Sequence, residues 1–134
     1  MTHLLDSSAW LAHVLGEPGV EQVNALFDDP SVTLYLSALS LPEVYARFNA
    51  LGRKAHWAKM WTSYADLFAK VLPVDQAVAE QAILLRAATP KRLPTIDALI
   101  AATAVVHELT LVRRDPHLAA IPANALSQLS LPTA

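Results

Sequence analysis

Four acids, Asp6, Glu43, Asp97 and Asp115, are spread along the chain so that each falls beside a predicted strand end or helix start. Brought together, four carboxylates would repel one another and tend to protonate, so a cluster of them calls for a cation. The chain has no Cys, and its five His make no metal-ligand spacing on any one predicted helix. Oxygen donors of this kind favour Mg²⁺ or Mn²⁺ over Zn²⁺. Such a cation suits phosphodiester hydrolysis, because it lowers the pKa of a bound water, polarises the phosphoryl group and stabilises the leaving oxygen. Taken singly, each acid has a commoner structural role. Asp6 and Asp115 can be N-caps, the latter with Pro116 at the favoured first position; Glu43 can complete a capping box with Ser40; Asp97 can be a first-turn acid behind a Thr95 cap. The chemistry therefore depends on whether the fold places them on one edge.

The elements around them are readable. Residues Leu93 to His117 read as a helix feeding a buried strand: Thr95 and Asp97 mark the start, Ile96, Leu99, Ile100, Thr103 and His107 recur at helical spacing, and Leu109 to Val112 is a short apolar run. Upstream, Thr2 to Leu5 predicts a strand, Ser8 to Leu15 and Val20 to Phe27 helices, Thr33 to Leu36 a strand, and Ser40 to about Leu51 a helix. Lys54 to about Phe68 predicts one long helix with Trp57, Met60, Trp61, Tyr64 and Phe68 in a stripe, which reads as core with a share in a partner interface. Lys70 to Val74 predicts a strand, Asp75 to Ala87 a helix, Pro116 to Ala120 a helical turn and Ala125 to Leu129 a last strand. Strands alternating with helices imply parallel pairing in an α/β sandwich. In such sheets ligands bind beyond the carboxyl ends of the strands, where Asp6, Glu43, Asp115 and the helix start carrying Asp97 would meet.

Composition narrows the class further. The 134 residues predict a single domain spanning 1–134, and 54% hydrophobic content with three Gly predicts a well-packed, helix-rich globule. The absence of Cys suits a reducing compartment, and neither a basic leader after Met1 nor a bilayer-length apolar run is evident, so the expectation is a soluble cytoplasmic protein with no membrane partner. A net charge of −2 offers no bulk attraction to nucleic acid, but Arg47, Arg53, Lys54 and Lys59 lie in a stretch without acids, and Lys91-Arg92 and Arg113-Arg114 are basic pairs.

The segments LLDSSAWLA, SLPEVYARF, VLPVDQAVAEQAILLRA and LPTIDALIAATAVVHELTLVRRDPHL, in this order and spacing, resemble the PIN-domain ribonucleases of VapBC toxin–antitoxin modules, over nearly the whole chain. The resemblance implies a PIN-like three-layer sandwich: a mostly parallel sheet of order 3-2-1-4-5 with helices on both faces. It also implies a Mg²⁺- or Mn²⁺-dependent endoribonuclease acting on structured RNA such as tRNA or rRNA. The implied partners are a cognate antitoxin and a second copy of the chain, with a larger toxin–antitoxin complex as an extension. The family's acids fall on Asp6, Glu43, Asp97 and Asp115, with Asp6, Asp97 and Asp115 as metal ligands, and its Asp-x-Ser hydroxyl falls on Ser8. Two positions depart from the family: Arg113 stands where a Thr or Ser is common, and Glu108 where a Gly is common.

Ser8 is also explained as an ordinary helix-start residue, and Arg47 as an i,i+4 partner of Glu43 or a solvated side chain. Arg113 and Arg114, flanking Asp115, are the candidate phosphate contacts. His117 is the one histidine near the acids in sequence; all five read as surface or boundary residues. Two other readings stand beside the nuclease: a degenerate PIN-like module that binds protein or RNA without catalysis, and a phosphatase using Asp6 as nucleophile. Against the latter, Ser8 stands where a dehalogenase-like enzyme would carry a second Asp.

Overall fold

The computed structural model describes residues 1–133. Its strands are β1 (Thr2–Leu5), β2 (Thr33–Ser37), β3 (Lys70–Leu72), β4 (Thr110–Arg113) and β5 (Gln128–Ser130), and its α-helices α1 (Ser7–Leu15), α2 (Val20–Asp28), α3 (Ser40–Ala50), α4 (Trp57–Ala65), α5 (Gln76–Ala88) and α6 (Thr95–Val106). All strands pair in parallel, in the order β3-β2-β1-β4-β5. The expected α/β sandwich and its strand order are both found.

Alternation along each strand divides the core into two layers, since successive side chains point to opposite faces. Leu4, Leu111 and Leu72 face α5, α6 and the Pro116–Ala120 turn, among Val78, Ala82, Leu85, Ala101 and Ala104. Leu5, Leu36 and Val112 face α1 to α4, around Trp10, Val23, Val44 and Phe48. The central strand β1 is covered on both faces, which is why its Leu4-Leu5 pair is fully buried. Trp10 is fully buried as well, with Trp57, Trp61, Tyr64 and Phe68 edge-on around it at centroid distances of 5.6–6.3 Å. The aromatic stripe packs around this indole in the edge-on geometry aromatic rings favour, while Trp57, Met60, Trp61 and Tyr64 stay partly exposed.

Several element boundaries differ from the sequence expectation, each for a local reason. The single helix expected from Lys54 to Phe68 is a 3₁₀ turn, Lys54–His56, followed by α4, and Phe68 lies beyond it. The Ala69 amide donates to the Leu34 carbonyl at 2.8 Å, so the chain is already committed to the sheet edge there and the helix ends before it. Strand β3 stops at Leu72 because Pro73 has no N–H for the ladder. The last strand starts later than expected, after a turn closed by the Ala125 amide on the Pro122 carbonyl. Helix α6 begins after Pro94, and Thr95 is its first helical residue rather than its cap. No helix among the described residues is long and apolar enough to cross a membrane.

Candidate active site

Parallel register aligns Leu5 with Leu36 on one side and Val112 on the other, so β1, β2 and β4 end at the same level. The Asp6 amide donates to the Val112 carbonyl at 2.9 Å, carrying the ladder one residue past β1. Helix α1 then starts at once, and the Asp6 carboxylate accepts the Ala9 amide at 2.8 Å as its N-cap. The cap does not remove Asp6 from the site, because its other contact is with Ser8. The Ser8 hydroxyl donates to the carboxylate, 2.7 Å from Oδ1 and 2.9 Å from Oδ2. The same oxygen accepts the backbone amides of Arg114 and Asp115, both at 3.0 Å. One donor and two acceptor positions exhaust a hydroxyl, so Ser8 is fully used in tying the end of β1 to the end of β4.

Glu43 reaches the same edge from the first turn of α3. The expected Ser40–Glu43 capping box is absent: Leu39 occupies the cap position and no side chain caps the helix. The Glu43 carboxylate instead accepts the Ser7 hydroxyl at 2.5 Å, and the Ser40 hydroxyl, buried, lies 2.9 Å from the same Ser7 oxygen. This contact ties the start of α3 to the start of α1. Arg47 forms no ion pair with it, so of the two expectations for this arginine the solvated one holds.

Asp97 sits in the first turn of α6, where the helix dipole favours a carboxylate. Asp115 caps the Pro116–Ala120 turn by accepting the His117 amide at 2.9 Å. That turn folds the His117 ring back over the acids: Nδ1 lies 3.0 Å from Asp115 Oδ1 and 3.8 Å from Asp97 Oδ2. One ligand atom from each of Asp97, Asp115 and His117 can be chosen with all three within 4.8 Å of one another, a spacing that suits a shared cation. Asp6 is not in that trio, its oxygens being turned to Ser8 and Ala9. Burial pushes the Asp6 carboxyl up to about 7, against the pull of the Ala9 and Ser8 hydrogen bonds and with a further push from Asp115 and Asp97. Burial and the charges of Asp115 and Glu43 push Asp97 up to about 6, with His117 opposing. Burial dominates both shifts and the neighbouring carboxylates add to them; a divalent cation would offset both. A set of carboxylates with one imidazole fits Mg²⁺ and, more readily, Mn²⁺.

Two basic residues near the acids are engaged within the protein. Arg113 donates from Nε to Gln128 Oε1 at 2.5 Å, and its Nη1 lies 3.4 Å from both Ser130 Oγ and the Asp115 carbonyl oxygen, so its guanidinium bridges β5 and the backbone of the loop after β4. Arg114 pairs with Glu17 at 3.0 Å and donates to the Pro18 carbonyl at 3.2 Å. Ser7 carries no sequence signal, and His117, near the acids in sequence, reads there as a surface or boundary residue, yet both touch candidate site residues. His117 is brought in by the proline turn that follows Asp115.

The PIN domain family matches residues 3–124. No curated protein is significantly similar in sequence. Among solved structures, FitAcB from Neisseria gonorrhoeae is similar at 27% identity and a TM-score of 0.76, covering 96% of each chain. VapBC-5 from Mycobacterium tuberculosis, a member of the VapBC family of toxin–antitoxin systems, is similar at 25% identity and 0.69, again covering 96% of each. VapBC2 from Rickettsia felis, solved bound to a DNA fragment from its promoter, shares the fold at 16% identity and 0.78, over 97% of this chain and 98% of that one.

Proposed function

The chain belongs to the PIN-domain family, and from that premise we propose that it is a Mg²⁺- or Mn²⁺-dependent endoribonuclease and the toxin of a type II toxin–antitoxin pair. Its proposed substrate is structured RNA, tRNA or rRNA. The observation that carries the reading is the convergence of Asp6, Glu43, Asp97 and Asp115 on the carboxyl edge of a parallel sheet, with two of them pushed to about 7 and about 6. Burial is the main push on both, and neighbouring carboxylates of the set add to it, although Asp6 keeps the Ala9 and Ser8 hydrogen bonds.

In this reading Asp97 and Asp115 hold the cation directly, and Asp6 does so directly or through water. When bound, the cation would acidify a water and neutralise charge on the phosphoryl group. Glu43, fixed by Ser7, orients the attacking water or adds a ligand. In-line attack breaks the bond to the 3′ oxygen and leaves a 5′-phosphate and a 3′-hydroxyl. Ser8 keeps Asp6 and the Asp115 backbone in register and has no chemical step of its own.

The proposed partners are a cognate antitoxin and a second copy of the chain. The likeness to VapBC-5, a member of a toxin–antitoxin family, supports the antitoxin. The proposed surface for it is an open pocket of about 450 Å³ lined by Val14, Leu15, Phe48, Arg53, His56 and Met60, to which α1, carrying the buried Trp10, and α4, carrying most of the aromatic stripe, both contribute. The phosphatase alternative loses ground because the Asp6 carboxylate is buried, capping α1 and bonded to Ser8.

Calorimetric titration of Mn²⁺ into the protein and into Asp97→Asn, with cleavage of total tRNA and rRNA alongside, tests the proposal. Expected are Mn²⁺ binding and cleavage by the wild type and loss of both in the variant. Undiminished cleavage by Asp97→Asn would sink it.

A further inference from the structure

Of the two basic pairs near the site, Arg113-Arg114 is engaged by Gln128 and Glu17, whereas Lys91-Arg92 is not. Lys91 and Arg92 are exposed, and among the described residues neither takes part in an ion pair. They form the tip of the loop between α5 and α6. That loop is anchored at both ends: the buried Thr89 hydroxyl donates to the Leu85 carbonyl at 2.6 Å, and Leu93 is 2% exposed. The tip is thus presented at a defined place while its two cations stay open to solvent.

The tip forms one wall of an open groove of about 470 Å³, whose other wall is the turn after β4. Pro90, Pro116 and Ala119 line it between Lys91, Arg92 and His117. His117 belongs to both features, since its ring contacts Asp115 and Asp97. The groove meets the acidic cluster at His117 and is of a size that takes a nucleotide-sized group.

We propose that this groove is a subsite for the RNA backbone adjoining the scissile phosphate, with Lys91 and Arg92 as its phosphate-contacting residues. The proposal rests on the nuclease reading above. An edge carrying four carboxylates repels a polyanion, so the strand needs cations beside the reacting phosphate as well as at it. Lys91 and Arg92 supply two where the adjoining groove is lined by proline and alanine, against which a ribose or base face can lie.

The test compares Mn²⁺-dependent cleavage of total tRNA and rRNA by the wild type, by Lys91→Ala/Arg92→Ala and by Lys91→Arg/Arg92→Lys, over a range of KCl concentrations. At about 0.1 M salt the alanine variant should raise KM by roughly tenfold to thirtyfold and lower the salt slope by about 1.4, since each single-strand phosphate contact contributes roughly 0.7. Its Mn²⁺ affinity should stay within about twofold of wild type, and the charge-retaining variant should recover most of the lost KM. Unchanged KM and salt slope in the alanine variant, with a wild type that cleaves, would overturn the subsite and leave the nuclease standing. A charge-retaining variant as weak as the alanine one would also overturn it. A wild type that binds Mn²⁺ but cleaves no RNA removes the nuclease reading and the subsite with it.

Discussion

The Ser8 hydroxyl accepts the Asp115 backbone amide at 3.0 Å across 107 positions of sequence. Through the same oxygen it accepts Arg114 N–H and donates to Asp6, so the loop after β4 is held to the start of α1 by one side chain. This contact sets how far apart the Asp6 and Asp115 carboxylates sit.

Ser8→Ala leaves two backbone amides and one carboxylate short of a partner. We expect about 1–3 kcal/mol of lost stability in urea unfolding, with the m value unchanged. Mn²⁺ affinity should fall together with stability, because the Asp115 loop loses its tether. A variant as stable as wild type would show that the hydroxyl is replaced by water at no cost.

Ser7→Ala separates positioning from folding. Ser7 is only half-buried and its hydroxyl holds a side chain rather than the backbone. Its loss should lower kcat by about tenfold while Tm moves little, whereas Glu43→Gln should lower kcat by about a hundredfold or more if Glu43 orients the attacking water. Equal rates in wild type and Glu43→Gln would remove Glu43 from the chemistry.

Raised carboxyl pKa values make stability depend on pH with a definite sign. Between about 4 and about 7 the folded protein holds a proton on Asp6 that the unfolded chain releases. Metal-free stability therefore falls as pH rises through this window and levels off above it. The full effect for Asp6 is of the order of 4 kcal/mol as an upper bound. Asp97 adds in the same direction up to about pH 6. In EDTA, Asp6→Asn should be more stable than wild type at pH 8, with little difference at pH 4. Thermal unfolding at the two pH values reads this directly; a wild type that gains stability with pH would contradict it.

Adding a divalent cation should reverse the penalty. At a Mn²⁺ concentration of about a hundred times Kd, stability should rise by about 2.7 kcal/mol, and Tm with it. The gain should be larger at pH 8 than at pH 5, where protons compete for the same carboxylates. Removal of the cation with EDTA should return Tm to its starting value, and Asp97→Asn should show no such response.

Glu108 has φ of 55°, the left-handed region that a side chain occupies at a cost. It follows α6 at the position where the family commonly has Gly, and its exposed side chain has no hydrogen bond or ion pair among the described residues. Glu108→Gly should stabilise the protein by about 1 kcal/mol, with activity unchanged. A loss of stability would mean that the side chain makes a contact worth more than the backbone strain.

Much of this molecule was legible from periodicity. Alternating strands and amphipathic helices, with Leu4-Leu5 at the centre, specify a parallel sheet covered on both faces, and the acids following the strands must then share its carboxyl edge. The likeness of four segments to PIN-domain ribonucleases supplied the strand order, which local pattern does not contain. Helix and strand ends were less legible, because they depend on where the neighbouring strand lies, as the Ala69 bond to Leu34 illustrates. The partners of the site were decided by tertiary structure alone. Ser7 finds Glu43 across 36 positions, Ser8 finds Asp115 across 107, and Arg114 pairs with Glu17 while Lys91 and Arg92 line a groove with His117. Hydrogen bonds and charges act through space over a few ångströms, and distance along the chain carries no record of which groups the folded backbone brings that close.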